Sequence, residues 1–239
     1  MNLTKDMKRT RNLMLLFGSF AIFFTGFPHV WSIYQPYLIE RTGWTQGQTS
    51  FCFYLELAVF VIGNIVGGRV QERFGYKTVL AIGGGLFAGG ILFSANMIIA
   101  SPIPMYFTYG VMQGLGQGMI YGTILQMAQR WFPNRTGFAS GIVVTANGLC
   151  GFFITPISKY LLEKSGPERA FLVIGTAVTI TCILGYIFIK EPHNIVGIKE
   201  DTSKINAIAL QKQYTVREML KKVEFYYLFV IMLCGLTAY

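Results

Sequence analysis

Two ionisable side chains stand inside long apolar stretches of this sequence, His29 and Glu56. An acid set among hydrocarbon groups is either held neutral by desolvation or used for its charge change, because an isolated carboxylate is costly to bury. The two residues lie at similar depths in their runs, so they could shape one cavity and exchange a proton. A neutral, purely structural acid is the alternative. Trp31, Tyr34 and Gln35 follow His29 closely and are further cavity candidates. Later, Gln113, Gln117 and Tyr121 recur at intervals of four, which places them on one stripe of a helix. Such a stripe faces a wet cavity or hydrogen-bonds to a neighbouring helix. Asn64 and Asn147 place one amide each in two more apolar runs, at what read as corresponding positions, and Asn147 joins the cavity candidates. No nucleophile–base pair, metal-spaced cluster or cofactor motif accompanies these groups. An enzyme, a metal centre or a cofactor is therefore not expected. The four cysteines all sit in apolar runs and read as small core thiols.

These residues need elements that can hold them in a low-dielectric medium. The chain has 239 residues, 53% hydrophobic and only 13% charged, about half the charge of a soluble domain. A bilayer core of about 30 Å needs about 20 apolar helical residues. Six stretches qualify: Leu13–Gln35, Thr49–Gly68, Thr78–Met97, Pro104–Ala128, Gly137–Leu162 and Ala170–Ile189. A seventh begins near Phe225 and is still running at Tyr239, which suggests a piece of a longer chain. The expected fold is all-α and polytopic. Residues 1–12 form an N-terminal tail, 13–190 a six-helix transmembrane bundle, 191–224 a central loop, and 225–239 the truncated start of helix seven. Pro28 and Pro156 should loosen the helices that contain them.

Cations mark the sides. Sixteen of the twenty Lys and Arg residues fall before the first span, after the second, after the fourth and after the sixth; Arg41, Lys159, Lys164 and Arg169 fall on the other side. The excess of cations puts the N-terminus in the cytoplasm. It also accounts for the net charge of +9 without a nucleic-acid partner.

Glycine spacing carries a packing signal. Gly110, Gly114, Gly118 and Gly122 recur every four residues, so they form one ridge bare of side chains, against which a neighbouring backbone can lie. The turn after the second run reads GGRVQERFGYK, Gly67–Lys77. Here the chain resembles the major facilitator superfamily, whose loop between helices two and three has the pattern G-x-L-x-D-R-x-G-R-K. Gly68, Glu72, Arg73, Gly75 and Lys77 match in place; Glu72 replaces the usual Asp and Tyr76 the usual Arg. The resemblance implies a cytoplasmic gate, with Glu72 at the positive end of a neighbouring helix. The stretches GFPHVWSIYQPYL, YGVMQGLGQGMIYG and RWFPNRTGFASGI look like the oxalate/formate antiporter and monocarboxylate transporter branch. Gly110 stands where the superfamily's fourth helix has an Arg, so no role of that Arg transfers.

The resemblance implies a secondary transporter in the cell membrane. Its substrate would be a small solute, a mono- or dicarboxylate, held between this bundle and a missing C-terminal six-helix half. Spans one to six contain no intramembrane Lys or Arg, so an organic anion must find its cation elsewhere. A channel, a transporter-derived sensor and a carrier of a non-anionic solute are the alternatives.

Overall fold

The computed structural model describes residues 5–99, 101–189, 221–227 and 230. Among them the bundle lies in residues up to His193, and a second unit takes in Asn194–Tyr239. Of that second unit only the stretch 221–227 and residue 230 are described, with helical backbone at 223–227. The expected central loop and the start of a seventh helix otherwise lie outside the described residues.

Helix α1, Lys5–Phe23, passes through a 3-10 stretch, Phe24–Val30, into α2, Trp31–Thr42. Pro28 sits inside the 3-10 stretch, where its missing N–H cannot complete an α ladder. Pro156 leaves its helix uninterrupted, so only one of the two prolines changes the helix type. Helix α3, Gln46–Phe74, starts from a capping box: the Gln48 amide N–H donates to Thr45 Oγ1, and the Thr45 N–H donates to Gln48 Oε1. Then come α4, Tyr76–Ser94, the short α5, Ile103–Met105, a π-helical stretch, Tyr106–Gln113, and α6, Gly114–Trp131. A 3-10 turn, Pro133–Arg135, leads into α7, Thr136–Phe188.

Four stretches among the described residues have the length and apolarity to cross a bilayer: Arg11–Thr42, Gln46–Phe74, Tyr76–Ser94 and Pro133–Phe188. The last is 56 residues long. At about 1.5 Å per residue that far exceeds a core of about 30 Å. Gly166, at φ 78° and ψ 171°, breaks it into two crossings. The run 103–131 is long enough but less apolar, because Gln113, Gln117 and five glycines dilute it. The result is the polytopic six-run helical bundle expected from hydropathy, with no strand among the described residues.

The interior is set by glycine. All four ridge glycines face α3. A Cβ at Gly110 would lie 2.8 Å from the Leu55 side chain, one at Gly114 2.7 Å from the Glu56 carbonyl oxygen, and one at Gly122 2.6 Å from Asn64 Oδ1. A Cβ at Gly118 would overlap the Phe60 carbonyl oxygen. The fit is reciprocal, since a Cβ at Gly67 would lie 2.8 Å from the Met119 Cα. On the other side of α6, Gly116 meets the backbone of α4 at Gly83 and Phe87. α6 is thus clamped between α3 and α4 at backbone distance, the geometry that small residues permit in a bilayer.

The turns are narrow. Gly75, at φ 81° and ψ 165°, joins α3 to α4 and has nearly the conformation of Gly166. Near the Gly166 turn, Arg41 Nε donates to Glu168 Oε1 at 2.8 Å, tying the end of α2 to α7. The pair is largely solvated, so screening limits it. Arg41→Glu should lower the melting temperature only slightly, and adding Glu168→Arg should restore it. A double-mutant cycle with no coupling would assign the contact no energetic role.

Candidate membrane-buried polar site

Glu56 is fully buried on the face of α3 turned to the π-helical stretch and α6. Neither carboxyl oxygen has a hydrogen-bond partner. Cys52, one turn earlier, spends its S–H on the Met105 carbonyl oxygen at 3.7 Å. Tyr109 is fully buried beside them, its ring 4.4 Å from that of Trp31 and 6.4 Å from that of Phe27. The Gln113 amide approaches the Tyr109 hydroxyl without reaching hydrogen-bond geometry. Trp31 Nε1, both Gln113 amide atoms and Gln117 Oε1 are likewise buried without partners. The π-helical stretch carries both Tyr109 and Gln113, and such departures from α geometry recur at functional sites.

His29 belongs elsewhere. It is exposed, and no hydrogen bond or ion pair links it to Glu56, so the expected pairing does not form. The 3-10 geometry of residues 24–30 turns Thr25, Gly26, Phe27 and Pro28 inward and leaves His29 outward. Tyr34 is a core residue: fully buried, its hydroxyl donates to Ser158 Oγ at 3.2 Å, and its ring lies tilted against that of Phe171 at 4.8 Å. Gln35 bridges α2 to α3, donating to Thr49 Oγ1 at 2.9 Å and Ser50 Oγ at 3.0 Å. Tyr34 borders no open space, whereas Gln35 keeps partial exposure.

The Gln113–Gln117–Tyr121 stripe divides. Gln113 is sealed inside, and Gln117 donates to the Thr25 carbonyl oxygen at 2.7 Å, which is the interhelical bonding left open as an alternative. Only Tyr121 keeps partial exposure, with its ring 5.6 Å from Phe60. Half-buried Asn147 donates to Thr25 Oγ1 at 2.9 Å. Thr25, which sequence reading passed over, therefore joins span one to spans four and five.

Asn147 also changes its counterpart. It stands nineteen residues before Gly166, and Glu56 stands nineteen before Gly75. The turns themselves repeat as ERFG and EKSG. A Cβ at Gly26 would overlap the Asn147 carbonyl oxygen, just as one at Gly114 would press on that of Glu56. The match drawn from sequence between Asn64 and Asn147 is thus corrected: Glu56 and Asn147 are the equivalent pair. The repeated turn was the available signal.

At the other face, Gly68, Glu72 and Gly75 line a small polar pocket of about 120 Å³ with Gln71, Tyr76, Gln126 and Arg130. Arg73 and Lys77 are exposed outside it. Gln71, not singled out from sequence, is buried with both amide atoms unpartnered.

A multi-pass helical bundle clamped by glycine, with polar groups sealed inside it, is the architecture of a polytopic membrane protein. The profile of the Major Facilitator Superfamily matches residues 15–239, and the chain belongs to that family. It is 28% identical over 228 residues to the MFS-type transporter YhjX of Escherichia coli strain K12, covering 95% of this chain and 55% of that protein. It is 25% identical over 204 residues to the oxalate:formate antiporter of Oxalobacter formigenes, covering 85% and 47%. It is 29% identical over 213 residues to monocarboxylate transporter 3 of Gallus gallus, covering 87% and 37%. The chain thus spans about half the length of the curated relatives it matches. These relatives are transporters, not enzymes.

Proposed function

We propose that the chain is one bundle of a secondary carrier that moves a small organic anion, a mono- or dicarboxylate, by alternating access. The observation that carries this reading is the pairing of two three-span halves within the bundle. Each closes on the same glycine turn, Gly75 or Gly166, and each presses a mid-membrane polar residue against a glycine of the other half. Halves so locked make one body, which can rock against a second bundle. The names of the oxalate:formate antiporter and the monocarboxylate transporter support the substrate class.

In this reading residues 1–12 and 191–224 lie in the cytoplasm of a cell whose outer membrane face carries the Gly166 turn. Residues 13–190 form one wall of the pathway and 225–239 begin a second bundle, which supplies the cation an anion requires. Gly68, Glu72 and Gly75, with the exposed Arg73 and Lys77, form the cytoplasmic gate. Vesicles from cells expressing the protein should take up labelled formate, lactate or oxalate saturably, with uptake accelerated by unlabelled solute inside. Flux that rises linearly with concentration and ignores internal solute would overturn the carrier reading.

A further inference from the structure

We propose that the furrow between α4 and the second crossing of α7 holds one acyl chain of an anionic phospholipid, whose head group sits on Lys77. The inference needs only that the bundle lies in a bilayer, and it stands apart from the identity of the solute.

The floor of the furrow is bare of long side chains. α4 contributes Ala81, Gly84, Gly85, Ala88 and Gly89, and α7 faces them with Thr179, Cys182 and Ile183. The two helices nearly touch at its base, where a Cβ at Gly84 would lie 3.2 Å from the Cys182 Cβ. At Gly85 nothing lies within 4 Å of a Cβ, and the open volume is about 370 Å³. The lining offers almost nothing polar: Thr179 spends its hydroxyl on the Gly175 carbonyl oxygen at 2.7 Å. Such a surface is stable only against hydrocarbon or another apolar face.

Length and charge select between these. Along α4 the furrow runs from Leu80 to Leu92. At about 1.5 Å per residue that is about 18 Å, close to the hydrocarbon depth of one leaflet, half of about 30 Å. A partner's transmembrane helix would need a seam across both leaflets. At the Leu92 end α7 closes the furrow, since a Cβ at Gly175 would lie 2.7 Å from the Leu92 side chain. At the other end stands Lys77, four residues before Ala81 and so on the same face of α4. It is exposed and lies outside the polar pocket of Gly68, Glu72 and Gly75. Lys77 is also the one charged side chain of α4, and α7 carries none after Arg169, at its opposite end. On the α7 side the Leu80 end is bordered by Tyr186, an aromatic of the kind that sits at head-group level. A single cation at the mouth of an apolar furrow one leaflet deep complements a lipid with an anionic head. A zwitterionic head would bring an ammonium of its own beside Lys77.

The test is native mass spectrometry of the complete chain released from nanodiscs made of equal parts phosphatidylglycerol and phosphatidylcholine. Wild type should retain phosphatidylglycerol about five-fold over phosphatidylcholine, the preference that one interfacial Lys confers. Gly85→Leu fills the furrow where a side chain meets nothing, so it should melt like the wild type and retain several-fold less lipid. Should it not fold, Ala81→Leu fills the same furrow from an exposed position nearer the mouth. Lys77→Gln should keep a lipid but lose the preference between the two head groups, and Lys77→Arg should restore it. Gly141→Leu, outside the furrow, should retain lipid as the wild type does. Four results would overturn the proposal: full retention in the furrow-filling variants, an equal loss in Gly141→Leu, no preference for phosphatidylglycerol in the wild type, or a two-copy mass that Gly85→Leu abolishes. The last would give the furrow to a second copy of the chain.

Discussion

Gly118→Leu should remove the folded bundle from the membrane fraction almost completely. At this position a side chain would have to occupy space already held by the Phe60 carbonyl oxygen, the Asn64 amide nitrogen at 2.7 Å and the Gly63 Cα at 2.9 Å. All three are backbone atoms of α3, so no rotamer change can make room, and α3 and α6 must separate. Overpacking against movable side chains costs about 1–3 kcal/mol. Against rigid backbone the cost should exceed about 3 kcal/mol, a large share of total stability. The same ridge supplies graded controls. A Cβ at Gly110 meets only the flexible Leu55 side chain, and one at Gly122 meets the end of Asn64, so Ala should be tolerated better at both. Gly141 has nothing within 4 Å of its Cβ, and Gly141→Leu should melt like the wild type. Fluorescence-detected size exclusion after heating would rank the four. Equal melting of Gly118→Leu and Gly141→Leu would show that the ridge does not hold the helices together.

This ridge was legible in the sequence because packing in a bilayer depends on absent side chains, and a four-residue glycine period can be read directly. The crossing count was legible for a similar reason: 20 apolar residues in a row have few other fates. The polar site was only half legible. Hydropathy found Glu56, but it could not say which way each neighbour turns. His29 lies in a 3-10 stretch, whose three residues per turn displace it from the face that α geometry assigns. Tyr109 was missed because an aromatic in an apolar run has no distinguishing pattern until its neighbours are known. The π-helical insertion that sets it beside Gln113 has no sequence signature either. Gln113 and Gln117 share a stripe, yet one bonds α1's continuation and the other bonds nothing. Periodicity gives the face of a helix; it does not give the partner.

Gly75→Ala and Gly166→Ala should each destabilise the bundle by about 1–3 kcal/mol, and by similar amounts, although only the first lies in a recognisable motif. Both residues combine φ near +80° with extended ψ, at 81° and 165° for Gly75 and 78° and 171° for Gly166. That region is closed to residues with a Cβ for steric reasons within the residue itself. Space is not the issue, since nothing lies within 4 Å of a Cβ at Gly75, and at Gly166 only the mobile Glu168 carboxylate comes near. Gly43 separates the two explanations. Its φ of 74° and ψ of 13° fall in the left-handed helical region, which Asn enters readily. Gly43→Asn should therefore be nearly neutral, while Gly75→Asn and Gly166→Asn should melt as low as the alanine variants. Because the two turns lie at opposite ends of the bundle, the Gly75→Ala and Gly166→Ala losses should add. A double variant no less stable than either single one would mean that one turn already fails alone, and that the two halves are not built alike. Equal losses in the two single variants, matched by their asparagine counterparts, would establish that each half closes by the same backbone device, and additivity that the two turns act independently.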